Sequence, residues 1–285
     1  MHSTAEHCSP PGQPAPLPGT CKYLLAFDFD GTLRAENGPA VPEEFFTTMA
    51  ALRQHGVCWG INTGRTLPYL LSELLPCSPF LPDFICTCER YIYLADYATR
   101  SLRPEMPYNR ECELINLTLR RRLCPPFHER LELIKRKFPQ LSWIIAADDP
   151  LSVEAADSPT MDTLIPLLRD LEDSGATIQR AGRYMRFADA RFHKGTALEH
   201  VRRSFQVAAE HLFIMGDGHN DIDAFRCFPE AFCAAPANAH PDVKTWMQQN
   251  GGYISTEEGV MPTILHWQRV HLFADARFTA MPDGD

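Results

Sequence analysis

The chain has 285 residues, with 27 Lys and Arg against 36 Asp and Glu, for a formal charge of −9. Hydrophobic residues at 45% and charged residues at 22% suit a globular protein with a sizeable core rather than a disordered one, and the length fits one large or two modest domains. The acidic balance disfavours nucleic acid or an anionic membrane as partner, since both need clustered Lys and Arg; an anionic ligand would require a locally positive site.

Residues 1–20 are rich in Pro, Gly and Ser and lack the basic start and apolar centre of a secretory signal, so they read as a disordered arm. No apolar run is long enough to span a membrane. The ten cysteines are scattered with no CxxC pair, which favours reduced, buried thiols in a cytoplasmic protein over a zinc site or a disulfide framework. Tyr23–Asp28 is a near-continuous apolar run ending in polar residues and Gly31, the pattern of a strand buried on both faces of a parallel sheet. A helix opened by Pro42 and Glu43 and closed by Gly56 follows, then a second buried strand over Val57–Ile61 and a turn at Asn62–Arg65 into another helix. This alternation predicts an α/β fold with a parallel sheet and right-handed crossovers, and it resumes at Leu212–Met215, ahead of Gly216 and Asp217.

Between the two halves the rhythm changes. Phe127–Phe138 reads as a helix, Ser142–Ala147 and Leu151–Ala155 as a hairpin, Thr160–Asp173 as a helix, and Ala176–Arg180 with Tyr184–Ala188 as a second hairpin around Gly182. Two helix-plus-hairpin units predict an inserted α+β module. The expected organisation is a discontinuous catalytic core at 21–88 and 187–272, a cap at 89–186 and a tail at 273–285. The expected cap balances 15 basic against 15 acidic residues, which leaves the net charge outside it.

Four features fall at the ends of predicted core strands, where open α/β sheets bind their ligands. Asp28 and Asp30 flank Phe29; a spacing of two on an extended chain points both carboxylates to one side, and Gly31 lets the backbone turn beside them. Adjacent carboxylates repel, so the pair suits a nucleophile beside a general acid with a hard cation such as Mg²⁺. Asp217 and Asp221, in Gly216–Asp221, supply two more carboxylates for such an oxygen site. Thr63 and Gly64 offer a hydroxyl and helix-start amides to phosphate oxygens, and Lys194 offers an ammonium to a phosphoryl group. His219 and His193 read as solvent-facing, Asp223 as an ordinary helix-start charge and Arg120–Arg122 as a solvated helix face. Arg183 and Arg186, on the hairpin leading back to Lys194, are the cap residues placed to meet a substrate anion.

The ordered segments AFDFDGTL, INTGRT, FHKGTALEHV and MGDGHNDIDAF resemble the four motifs of the haloacid dehalogenase superfamily of Mg²⁺-dependent phosphotransferases. The insertion between the second and third resembles the C2B cap of the subgroup, subfamily IIB, that contains Cof-type, sucrose- and trehalose-phosphate phosphatases and phosphomannomutases. The resemblance implies a Rossmann-like core in which Asp28 attacks phosphorus to form an aspartyl-phosphate. Asp30 would protonate the leaving alcohol and then activate water, while Thr63, Gly64, Lys194 and Asn220 bind or position the phosphoryl group. It also implies Mg²⁺ held by Asp28, the Asp30 carbonyl and Asp217, with Asp221 as a ligand or as the partner of one. The function so implied is hydrolysis of a small phosphorylated metabolite, a sugar phosphate in the first instance. A phosphomutase of the same fold is the alternative, and a non-catalytic phospho-ligand sensor a more distant one. The subgroup commonly places an Asn-Gly pair at the strand leading into the cap, where this chain has Cys86-Thr87-Cys88-Glu89-Arg90-Tyr91, so the usual substrate contacts at that junction do not transfer.

Overall fold

The computed structural model describes residues 20–34, 41–146, 149–173 and 175–272. The expected arm, 1–20, apart from Thr20, the expected tail, 273–285, and Asp148 of the first expected hairpin lie outside the described residues. In chain order β1 (Tyr23–Phe27), α1 (Glu43–Arg53), β2 (Val57–Asn62), α2 (Leu67–Leu74) and β3 (Phe84–Thr87) form the first α/β run. A hairpin pair, β4 (Tyr91–Asp96) and β5 (Ser101–Pro104), follows. Then come α3 (Tyr108–Lys137), β6 (Trp143–Ile145), β7 (Ser152–Ala155), α4 (Ser158–Leu168), β8 (Thr177–Ala181) and β9 (Tyr184–Ala188). The second run is α5 (Lys194–Ser204), β10 (Leu212–Met215), α6 (Asp221–Cys227), β11 (Phe232–Ala235), α7 (Pro241–Asn250), β12 (Tyr253–Ile254) and α8 (Met261–His271).

Two sheets result: an eight-stranded one in the order β12-β11-β10-β1-β2-β3-β4-β5, and a four-stranded one in the order β6-β7-β9-β8. The large sheet is parallel from β12 to β3, and β4 and β5 add antiparallel at its edge. All five residues of β1 are buried, because the sheet is covered on both faces. Leu25 and Phe27 pack with Phe45, Met49 and Trp59 on one side; Leu24 and Ala26 pack with Ala197, Leu198 and Val201 of α5 on the other. That two-sided cover explains why the strand reads as a continuous apolar run rather than an alternating one. Each fully buried Leu or Phe there contributes about 1.5–3 kcal/mol.

The chain leaves β1 towards β2 and β3, and in its second run builds β10, β11 and β12 on the other side. β1 and β10 therefore meet at the point where strand order reverses, and their carboxyl ends open the crevice that binds ligands in such sheets. The small sheet has its own core, in which Leu119, Leu123, Phe127, Leu131 and Ile134 of α3 face Val153, Met185 and Phe187.

Two expectations are revised. The helix expected at Phe127–Phe138 begins at Tyr108 and runs 30 residues, straight through Pro125 and Pro126. Each internal proline costs about 3 kcal/mol, yet the apolar stripe continues on both sides of them into one core, and that burial outweighs the cost. The cap, expected from residue 89, contributes its first strand pair to the other sheet: Phe84 faces Leu94, and Leu94 faces Arg103. Sheet membership places the changeover at α3, and the return after Ala188.

Candidate active site

β1 ends at Phe27, and the next residues turn back on themselves: Leu33 N donates to Asp28 O and Arg34 N to Phe29 O, around Gly31 at φ +79°. Gly31 is required for a second reason, since a Cβ there would lie 2.3 Å from Asp217 Oδ2. Close packing of the two loops presents Asp28, Asp217 and Asp221 together, with one carboxylate oxygen from each within 4.8 Å of the others. Lys194, the first residue of α5, reaches into the same space. Its Nζ donates to Asp28 Oδ1 and to Asp221 Oδ1, each at 2.6 Å, and its side chain is 1% exposed.

The electrostatics follow from burial. Burial opposes the Lys194 charge, but Asp221 and Asp28 more than restore it and hold the ammonium above the ordinary lysine range. Burial pushes Asp28 well above the usual carboxylate range against the pull of Lys194, with Asp221 and Asp217 adding to the rise. Burial and Asp221 push Asp217 up to about 7, although Thr32 Oγ1 donates to its Oδ1 at 3.0 Å. Fully ionised, as a bound cation would hold them, three carboxylates against one ammonium would leave two negative charges in excess. That oxygen donor set and charge fit a hard divalent cation.

The other expected site residues divide into two groups. Thr63, directly after β2, is buried and accepts from Arg65 N at 3.2 Å. Gly64 carries Arg186 on its carbonyl, Nη2 to O at 3.1 Å, and Asn220 Nδ2 donates to Glu89 Oε1 at 2.8 Å. Arg186, Asn220 and Glu89 thus form one buried cluster beside the half-buried Gly64, with Arg186 and Glu89 at 3.8 Å. Asp30 stands apart from the Lys194 network. Because the backbone turns after Phe27, its carboxylate points to Arg34 Nη2 at 2.8 Å and Arg65 Nε at 2.6 Å, rather than alongside Asp28 as an extended chain would place it. Arg183 is exposed and bonds to Glu154 at 2.7 Å within the small sheet, away from this cluster.

Comparison with known proteins agrees with the geometry. Residues 147–261 match the family model described as haloacid dehalogenase-like hydrolase. Over that stretch the chain is similar to haloacid dehalogenase-like hydrolases. Among solved structures, the sucrose-phosphatase of Synechocystis sp. PCC6803, in complex with sucrose and phosphate, has 17% identity and a TM-score of 0.61, covering 87% of this chain and 97% of its own. SMU.1108c from Streptococcus mutans UA159 has 15% identity and a TM-score of 0.61 over 88% of this chain and 99% of its own. The subclass IIB sugar phosphatase BT4131 has 18% identity and a TM-score of 0.53 over 87% and 98%. These likenesses place the core-plus-cap fold. No curated protein matches the sequence.

Several residues at the site carry no local sequence signal. Asn238 Nδ2 donates to Gly31 O at 2.7 Å and His240 N to Asp217 O at 2.9 Å, so the segment after β11 ties down both acidic loops. Cys88 and Glu89 both have positive φ, 50° and 62°, conformations usually left to Gly or Asn. Glu89 N donates to Thr63 O at 3.0 Å, which fixes the turn against β2. His219, expected to face solvent, is largely buried and bonds to Asp242 at 3.0 Å. His193 caps α5 through Gly195 N. Among the described residues no helix is long and apolar enough to cross a membrane.

Proposed function

We propose that this protein is a Mg²⁺-dependent phosphatase that releases phosphate from a small phosphorylated metabolite, in the first instance a sugar phosphate, through an aspartyl-phosphate on Asp28. The observation that carries the reading is Lys194 Nζ bridging Asp28 and Asp221 inside a buried pocket where Asp217 completes a cluster of three carboxylates. Asp28, Asp217 and the Asp30 main-chain oxygen would hold Mg²⁺, with Asp221 as a further ligand or as the anchor of Lys194. When bound, the ion supplies positive charge to the transferring oxygens.

Asp28 Oδ2 forms a bond to phosphorus as the bond between phosphorus and the substrate's ester oxygen breaks, and the leaving oxygen takes a proton from Asp30. Asp30 then removes a proton from water, whose oxygen attacks phosphorus, so that phosphate leaves and the Asp28 carboxylate returns. Asp30 is held by Arg34 and Arg65. Arg65 is half exposed, so its release frees one Asp30 oxygen for the proton. Thr63, Gly64, Lys194 and Asn220 would surround the phosphoryl group, which needs positioning and charge neutralisation more than covalent help. Two of the three fold neighbours, a sucrose-phosphatase and a sugar phosphatase, support a sugar phosphate. Nine free cysteines among the described residues support a cytoplasmic setting.

A mutase would need a second anion site in the cap. Arg180, Arg183 and Arg186 are paired with Asp162, Glu154 and Glu89, which favours hydrolysis. The test is release of inorganic phosphate from a panel of phosphorylated metabolites with and without Mg²⁺. Wild type is expected to release phosphate only with the ion, and Asp28→Asn to lose at least about 10³-fold in kcat. Isomerisation of a substrate without release would overturn the reading in favour of a mutase, and absence of any turnover would favour a sensor.

A further inference from the structure

We propose that His219, His240 and Asp242 form a binding site for one transition-metal ion of the Zn²⁺ class, separate from the all-oxygen pocket, and that the ion staples the catalytic loop to α7. His219 follows Gly218 in the loop that carries Asp217 and Asp221, and His240 is the residue that caps α7. His219 Nε2 lies 3.0 Å from Asp242 Oδ2, and His240 Nδ1 lies 3.7 Å from the same oxygen. The two imidazole rings are 4.0 Å apart between centroids, and one donor atom from each residue lies within 4.8 Å of the others. In a tetrahedral zinc site, with metal–ligand bonds of about 2.0–2.2 Å, neighbouring donors sit about 3.4 Å apart; the two distances bracket that value. Two imidazoles and one carboxylate with an open fourth position select a borderline-soft ion over Mg²⁺, which prefers oxygen.

Hydrogen bonding alone accounts for only part of the arrangement. His240 Nδ1 accepts from Asp242 N at 3.2 Å, the long bond of a helix cap, and an ion would take over that lone pair. His219 has its Oδ2 contact, while its buried Nδ1 has no partner. The consequence for the catalytic loop is direct, because His240 N donates to Asp217 O at 2.9 Å. An ion across His219 and His240 would close a second bridge over the same loop and restrain Asp217 relative to Asp28.

The test is a titration of the full chain with Co²⁺ in excess Mg²⁺, which occupies the oxygen pocket and leaves the histidine site to report. One Co²⁺ per chain is expected, with the intense visible absorption of a tetrahedral imidazole-bound ion, displaced by one equivalent of Zn²⁺. His240→Ser keeps a capping oxygen and removes the imidazole, and Asp242→Asn removes the carboxylate; each is expected to weaken Co²⁺ at least about 10-fold. Zn²⁺ is expected to slow wild-type turnover and to leave both variants unaffected. Absorption no stronger than that of the hydrated ion, or equal affinity in wild type and both variants, overturns the site. Intact binding with no difference in Zn²⁺ response overturns the link to the loop. The absorption readout is independent of phosphate release, so failure of this site and failure of the phosphatase reading are distinguishable.

Discussion

Glu89 shows what one side chain can decide. It occupies a left-handed turn, accepts from Asn220 and faces the buried guanidinium of Arg186. Burial opposes the Arg186 charge and Glu89 sustains it. Glu89→Ala would leave that charge without its carboxylate, at a cost of about 3 kcal/mol. The figure sits at the low end of the usual range because Arg186 also donates to Gly64 O. Chemical denaturation is expected to show this loss, and Glu89→Ala combined with Arg186→Met is expected to lose less than Glu89→Ala alone. Additive losses would contradict the pairing. The residues that meet at Lys194 were legible beforehand, because each ends a strand or starts a helix in a recognisable segment. Glu89, Arg65 and Asn238 were not: Asn238 is 207 positions from Gly31, and no local pattern records a contact made by folding at that separation. Asp30 was legible as a carboxylate but not in its direction, which the turn after Phe27 sets.

At the scale of elements, the strands of the large sheet could be read because burial on both faces leaves an unmistakable apolar run, and the two hairpins because their turns carry Gly or Asp-Pro. The first half of α3 escaped, since Pro125 and Pro126 mark a break by local rules and only the stripe they share in the cap core overrides it. The β4–β5 pair, inside the cap range expected from residue 89, joins the edge of the large sheet: which edge a strand joins is settled by packing, not by its own residues. Gly60 in β2 offers a test of how tightly the sheet is built. A Cβ there would lie 2.3 Å from Phe84 O across the β2–β3 ladder. Gly60→Ala is expected to destabilise the fold by about 1–3 kcal/mol, read as a lower denaturation midpoint. A variant as stable as wild type would show that β2 and β3 can separate without cost.

For the molecule as a whole, the acidic pocket couples stability to pH and, on the proposed reading, to Mg²⁺. Folded Asp217 titrates near 7, above the value of about 3.9 for an exposed Asp. The metal-free folded chain therefore keeps a proton that the unfolded chain gives up. This group's contribution to stability is complete below about pH 4 and is lost as pH rises through about 7. Metal-free protein is expected to lose stability over that interval, and Asp217→Asn to flatten the loss; a steeper slope in the variant would contradict the assignment. At neutral pH, Mg²⁺ at about 100 times its Kd is expected to add about 2.7 kcal/mol, seen as a higher melting temperature that chelation reverses and that Asp217→Asn abolishes. The two sheets also separate two kinds of inheritance. Asp28, Asp30, Thr63, Lys194 and Asp217 all stand on the large sheet and its helices, whereas α3 to β9 make up a self-contained core of their own. On the proposed reading, substitutions in that second core would alter which molecule is admitted while leaving the chemistry of the large sheet intact, so new substrates would be open to descendants of this chain by drift in one half alone. The halves are tied at Arg186, a cap-sheet side chain on the Gly64 carbonyl, and at Asn109 of α3, whose side chain bonds the Ile92 main chain, so a change at either would be felt in both halves at once.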